Sequence, residues 1–302
     1  MKNSATIKKN PNFVFYQIME TKKKITKNKA KHALRFVLLV FGAFVMVYPL
    51  LWMMVSAFRP EHTIFNNMGL IPHEFTFENF AIGWQSNGVV TFARYFRNSF
   101  VISGLSVLGT VFSSTLAGYA FARLDFKFKG LFFALMMLTM MIPQHATIVP
   151  QFVYFTRLGW NNTIFPLVLP RFLAVDGFFI FLMMQFIRGL PKELDEAATI
   201  DGCGKFGIFF KIILPLTKPA LITTIIFSFI WSWNDFLNQL IYLREATQWT
   251  VTLGLRLFID ETATSAFGAM FAMSALSLLP TIILFIFFQK YLVEGVATTG
   301  MK

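Results

Sequence analysis

Long apolar blocks separated by shorter polar stretches set the pattern of this chain. Six blocks, at about 34–57, 97–122, 130–153, 164–187, 219–242 and 268–290, reach the roughly 20 residues a helix needs to cross a hydrocarbon layer about 30 Å thick. The pattern predicts an all-α integral membrane fold with six transmembrane helices and both ends on one side. Several blocks are interrupted. Pro143, Gln144, His145 and Pro150 break the third near its outer half, Pro166, Pro170, Arg171 and Asp176 lie in the fourth, and the run Trp231 to Phe236 lies in the fifth. A helix broken at membrane depth needs its freed backbone groups satisfied by neighbours or water. Small residues at Gly104, Gly109, Ala117 and Gly118 of the second block offer surfaces for close helix approach.

The fourth and fifth blocks are separated by a mostly polar stretch, Leu190 to Pro219, that reads as helix, turn, helix. Pro191 suits the first position of a helix, and Glu193, Asp195 and Glu196 put negative charge at its positive end. Leu194, Ala197 and Ala198 predict one narrow apolar stripe, and Gly202 and Gly204 flank a sharp turn. The second helix, about 205–214, carries Phe206, Phe209, Phe210 and Ile213 at helical spacing, and Pro215 is expected to end it before the next span.

Charge assigns the sides. The chain is 56% hydrophobic and 14% charged, with a net charge of +12. Of its 27 Lys and Arg, twenty fall in segments that lie inside if the N-terminus is inside, and six in exported ones; acidic residues divide almost evenly. The positive-inside rule thus predicts cytoplasmic termini and a cytoplasmic hairpin. Topology accounts for the basic surplus, so no nucleic-acid partner is implied. The crowd of lysines from Lys22 to Lys31 is expected to anchor residues 1–32 on anionic lipid as a disordered or weakly helical arm. The organisation expected is this arm, a permease domain over 33–293 that includes a loop at 188–218, and a cytoplasmic tail at 294–302. The exported segment to Arg97, with Gly69, Pro72, Phe75, Phe77 and Trp84, reads as a packed loop with short helices. A single cysteine, Cys203, excludes an internal disulfide.

In the hairpin, Glu196, Ala197, Ala198, Asp201, Gly202, Leu214 and Pro215 resemble, in identity and spacing, the Glu-Ala-Ala loop of the permease subunits of binding-protein-dependent ABC importers. Cys203 departs from the alanine expected there and keeps the site small. The resemblance implies the type I ABC importer permease fold in a bacterial plasma membrane. It implies that Glu196, Ala197, Ala198, Asp201, Gly202 and Pro215 couple the chain to a cytoplasmic ATPase dimer, which binds the ATP and Mg; no cofactor belongs to this chain. A second permease subunit, a different chain, and an extracytoplasmic solute-binding protein complete the expected assembly. Leu116 to Arg123 (LAGYAFAR) and Trp233 to Phe236 (WNDF) are similar to the carbohydrate-uptake branch, which implies a sugar or oligosaccharide substrate. The tail resembles sugar-permease C-termini that reach between ATPase subunits.

For the substrate pathway the candidates are Asp176, Trp233, Asn234 and Asp235, because sugar rings stack on indoles and hydroxyls pair with planar amides and carboxylates. The bland alternatives are a buried structural partner for Arg171 or for the other permease chain in the case of Asp176, and bonding to backbone groups of the kinked third or fourth span in the case of Asn234 and Asp235. Arg171 and Asp176 are five apart, which does not align them on a regular helix unless Pro170 distorts the turn. His145 is a weaker candidate for a substrate or proton group. No G-x-x-x-x-G-K-[ST] phosphate loop, nucleophile elbow or metal-ligand cluster is present, so the chain reads as a transport subunit and not an enzyme. The competing classes are an ion-coupled secondary transporter, for which no inverted repeat is apparent, an importer permease for a non-sugar solute, and a membrane scaffold protein without solute flux.

Overall fold

The computed structural model describes residues 11–66, 68–86, 88–259 and 266–297, with backbone alone for 11–30, 144 and 291–297. These residues are helical, with no strand among them. Helix α1, Pro11–Ser56, runs unbroken from the basic arm through the first apolar block. From Pro11 onward the arm is therefore the leading part of the first membrane helix and not a separate segment; residues 1–10 lie outside the described residues. The segment that follows, up to residue 91, holds a short 3₁₀ turn and α2, Glu78–Gln85, and is packed as expected. Then come α3, Phe92–Arg123, α4, Lys129–Met141, and α5, Gln144–Arg157. The fourth block divides into α6, Phe165–Val168, a 3₁₀ turn over 169–173, and α7, Gly177–Arg188.

The hairpin consists of α8, Glu193–Ile200, α9, Lys205–Ile208, a wider π turn over 209–213, and α10, Leu214–Leu216. The fifth block divides into α11, Lys218–Trp233, and α12, Leu237–Tyr242. A short α13, Val251–Gly254, precedes α14, Phe267–Ala297, which takes in the first residues expected in the tail. Among the described residues, four stretches are each long and apolar enough to cross a membrane: Lys31–Ser56, Phe92–Arg123, Phe165–Arg188 and Phe267–Lys290. Two further candidates are bent pairs, Lys129–Met141 with His145–Arg157 at 105°, and Lys205–Leu216 with Lys218–Trp233 at 75°.

Helix α3 is the hub, with α7, α11 and the 169–173 turn all packed on it. Its composition explains why. Ser99, Ser103, Ser106, Thr110 and Ser113 recur every three or four residues and are all buried, a row of small side chains that lets neighbours approach. At Gly118 the approach is close: a Cβ there would lie 2.8 Å from Met183 Cβ and 3.0 Å from the Met184 nitrogen. Gly109 is likewise pressed by Phe172, whereas Gly104 faces open space.

Three apolar cores result among the described residues. The one at the N-terminal end of α3, here the outer core, gathers Phe92, Tyr95, Trp233, Val251, Phe258 and Met273; the one at its C-terminal end, here the inner core, gathers Tyr119, Ile187, Ala198, Ile208, Phe209 and Ile213; a smaller one between them joins Ile102, Val168, Leu243 and Leu253. Glu61 ties the segment between α1 and α3 to α14, whose first backbone N–H groups, at Phe267 and Gly268, donate to its carboxylate at 2.8 and 2.7 Å. A carboxylate at a helix N-terminus satisfies orphan donors and meets the positive end of the helix dipole. Helix α1 leans on α14, yet no residue of its most apolar 18-residue stretch is buried within the chain.

Candidate functional site

The hairpin is sorted into an inward and an outward face by one turn of α8. Asp195 and Ala198, three apart, look toward the body of the protein. Ala198 packs in the inner core beside Tyr119 and Phe209. Asp195 Oδ2 lies 2.9 Å from Arg123 Nε at the end of α3, with the two side chains 21% and 5% exposed. Glu196 and Ala197 are exposed on the opposite side, and Ile200 is 87% exposed. The stripe expected of Leu194, Ala197 and Ala198 is therefore split, since only Ala198 is buried. Helix α8 starts two residues after Pro191, at Glu193, with all three acidic residues in its first turn.

Gly202 makes the turn at φ +80°, a left-handed conformation that a side chain would strain. Asp201 is exposed beside it, and the Cys203 N–H donates to Ala198 O at 2.9 Å to close the end of α8. In the second limb Phe209 and Ile213 are buried while Phe206 and Phe210 are exposed, so the four apolar residues divide between the two faces. The break expected at Pro215 falls at Thr217 instead, where the axis turns by 75°. Pro215 has no N–H to give to the preceding turn, and the π turn just ahead of it absorbs that mismatch within the helix. The outward face thus offers Glu196, Ala197, Ile200, Phe206 and Phe210 to a partner.

The interruption of the fourth span brings Arg171 and Asp176 together. The tighter 3₁₀ turn and the left-handed Ala174 carry the chain round so that Arg171 Nη1 pairs with Asp176 Oδ1. Thr110 of α3 donates to Asp176 Oδ2 at 3.2 Å, and Ser113 donates to the freed Arg171 carbonyl at 2.7 Å. Pro170 lies inside the 3₁₀ turn that makes the five-residue pair feasible.

The fifth span breaks at Asn234. The side-chain amide of Asn234, exposed, donates to Ile230 O at 2.9 Å, and Asp235 accepts from the Asn238 backbone N–H at 3.1 Å and from its side-chain amide at 2.9 Å. The bonds of these two residues stay within their own break and do not reach the third or fourth span. Trp233 is not a ring face open to a sugar. It is 2% exposed in the outer core, stacked on Phe229 at 5.4 Å, with its indole N–H donated to Ser277 O at 3.2 Å. The exposed indole is Trp231, which meets Phe178 and Phe179 at 5.3 and 5.0 Å and so joins the two interruptions.

Three residues that are not among the candidate site residues carry much of this geometry. Buried Gln239 donates to Ser232 O at 3.0 Å and accepts from Thr252 at 2.7 Å and from Thr250, fastening α12 to the start of α13. Its signal was a glutamine within an apolar run, four residues after Asp235. Arg123 and inward-facing Asp195 are the other two; their signal was a lone arginine ending α3 and an aspartate in register with Ala198. His145 is exposed. A crevice of about 570 Å³ between α2, α3, α11 and α14 is lined by apolar residues such as Trp84, Phe100, Leu279 and Phe287. It offers a sugar no hydrogen-bond partners. The described residues contain no group of three or more potential metal ligands.

The profile of the family described as the binding-protein-dependent transport system inner membrane component matches residues 109–298. The arabinooligosaccharides transport system permease protein AraQ of Halalkalibacterium halodurans is 37% identical over 265 residues, covering 87% of this chain and 93% of the relative. The trehalose/maltose transport system permease protein MalG of Thermococcus litoralis is 33% identical over 276 residues, covering 90% and 99%. In three dimensions the chain is similar to one in the crystal structure of a bacterial ABC transporter involved in the import of the acidic polysaccharide alginate. The TM-score is 0.77 at 21% identity, over 88% of this chain and 97% of that one. The hairpin, the spans and these likenesses agree: the chain belongs to the inner membrane components of binding-protein-dependent transport systems and has the type I importer permease fold.

Proposed function

We propose that this chain is one of two permease subunits of an ATP-driven importer for a sugar or oligosaccharide, and that it receives the ATPase stroke through the 190–219 hairpin. The observation that carries the reading is the outward face of α8 and α9. Glu196, Ile200, Phe206 and Phe210 are exposed on a short element whose other face is packed into the inner core. Apolar side chains beside a carboxylate suit a pocket with a basic rim. The ATPase dimer, its ATP and Mg, the second permease and an extracytoplasmic binding protein are partners this reading requires, with both termini in the cytoplasm. Relatives named for arabinooligosaccharide and trehalose/maltose transport support the substrate class.

For the pathway, Asn234 keeps an exposed side chain at the interruption of the fifth span and is the residue we place against solute. Asp176 and Asp235 shape the two interruptions beside it, and Trp233 holds the break in the core. The test is uptake of a labelled oligosaccharide panel by proteoliposomes that carry this chain with its ATPase, companion permease and binding protein. ATP-dependent accumulation is expected, and accumulation driven by an ion gradient without nucleotide would sink the reading.

A further inference from the structure

The inner end of α3 is bound to the hairpin more tightly than a docking loop requires. Arg123, the last residue of α3, has a side chain only 5% exposed. Its Nε faces Asp195 Oδ2 at 2.9 Å, and its Nη2 donates to Leu190 O at 2.7 Å, where the chain enters the hairpin. One turn earlier on α3 the Tyr119 hydroxyl donates to Lys205 O at 3.0 Å, at the start of the hairpin's second limb. The Tyr119 ring also packs on Phe209 at 5.0 Å. From the other side, Arg188 at the end of α7 donates to Phe121 O at 3.5 Å. One helix end thus grips both limbs of the hairpin and its entry. A buried guanidinium has a fixed fork of donors, and both its direction and its charge are used here. By contrast, the hairpin passes into α11 through a 75° bend at Thr217.

We propose that Arg123 is a positioning residue that makes the hairpin and α3 one rigid lever. The ATPase stroke on α8 is then delivered first to the second span, the helix on which α7 and α11 pack, and reaches α11 through the bend. The inference rests on the docking reading given above and adds to it the path of the force. Neighbouring Asp195 and Glu196 then have separate duties. Asp195 holds the hairpin to α3, and Glu196 meets the ATPase.

The experiment uses the whole reconstituted complex and measures solute moved per ATP hydrolysed. Arg123→Gln and Asp195→Asn should leave ATP hydrolysis running while the ratio falls on the order of tenfold, the size of a typical coupling free energy. The exchanged pair, Arg123→Asp with Asp195→Arg, should recover most of the ratio, which a merely structural defect would not do. A second measurement covers variants that assemble poorly. In a Cys203→Ser background, cysteines at 123 and 195 are bridged by a short bifunctional thiol reagent. Bridged complexes should transport better than unbridged ones, because a rigid lever needs no sliding there. An unchanged ratio in both single variants, or a bridge that stops transport while the open pair works, overturns the lever. Glu196→Lys serves as the separate control for docking: if it leaves ATPase stimulation intact, the docking reading itself fails, whatever the Arg123 variants do.

Discussion

The hairpin at 190–219 and the broken segment at 231–239 are both polar interruptions of apolar sequence, yet they dispose of their side chains in opposite ways. In the hairpin Glu196, Ile200, Phe206 and Phe210 stay exposed while a neighbouring set is buried. In the break Asp235, Gln239 and the Trp233 indole are all spent on the chain's own backbone and side chains. The difference follows from surroundings. A hairpin outside the bilayer can leave groups to water or a partner, whereas a break at membrane depth must satisfy its freed amides and carbonyls locally. Polar residues within an apolar run therefore mark two different things, and only the depth of the run separates them.

The largest effect expected from this contrast is on the outward face. Glu196→Lys should weaken docking by roughly 2 kcal/mol or more, about thirtyfold, as for a central contact of an interface. Uptake and ATPase stimulation should both be lost while the protein still reaches the membrane in normal amounts, measured by blotting and by ATPase assay. Normal uptake would mean that this face is idle. On the buried side the strongest effect belongs to Gln239→Leu. It removes the side-chain donor to Ser232 O and the shared acceptor of two threonine hydroxyls, which keep each other at 3.0 Å, with an expected loss of about 3 kcal/mol. Here the thermal midpoint of the purified complex should fall, with transport per folded molecule nearly intact.

The extent to which sequence revealed this arrangement depends on which physics was decisive. Block length located the spans, because bilayer thickness and the cost of exposing a backbone to lipid leave few options. The hairpin was legible through its spacing from Glu196 to Pro215. Which residues of a helix face inward was less so. The stripe of Leu194, Ala197 and Ala198 divides because Arg123, some seventy positions earlier, supplies a buried partner for Asp195 and rotates α8 onto it. The Arg171–Asp176 pair was hidden for a similar reason, since the 3₁₀ turn and left-handed Ala174 replace helical spacing with a tighter path. Trp233 misled because an indole is at home both against a sugar and in a core; its N–H bond to Ser277, on a helix far along the chain, decides for the core.

Asp176→Asn sharpens the same contrast at smaller scale. It keeps an acceptor for Thr110 and removes the charge facing Arg171, so a loss of about 2 kcal/mol in stability is expected, with the KM for sugar unchanged. A raised KM at unchanged stability would instead place Asp176 in the path of the solute.

The smallest predicted effect is also the most discriminating for the fifth span. Asp235 accepts the Asn238 backbone N–H at 3.1 Å in the first turn of α12, the part played by a capping side chain, and nothing else in its bonding calls for the charge. Asp235→Ala should therefore lower stability by about 1 kcal/mol, a shift of roughly 2–4 °C in a thermal melt. Asp235→Ser, which can still accept from the same N–H, should recover much of it. Asn234→Ala is the matched comparison. Its side chain makes one bond, to Ile230 O, and is otherwise open, so the melt should hardly move while the KM for sugar rises. If the two variants exchange behaviours, with Asp235→Ser weakening sugar uptake at full stability, the carboxylate faces the solute and the break has been assigned the wrong way round.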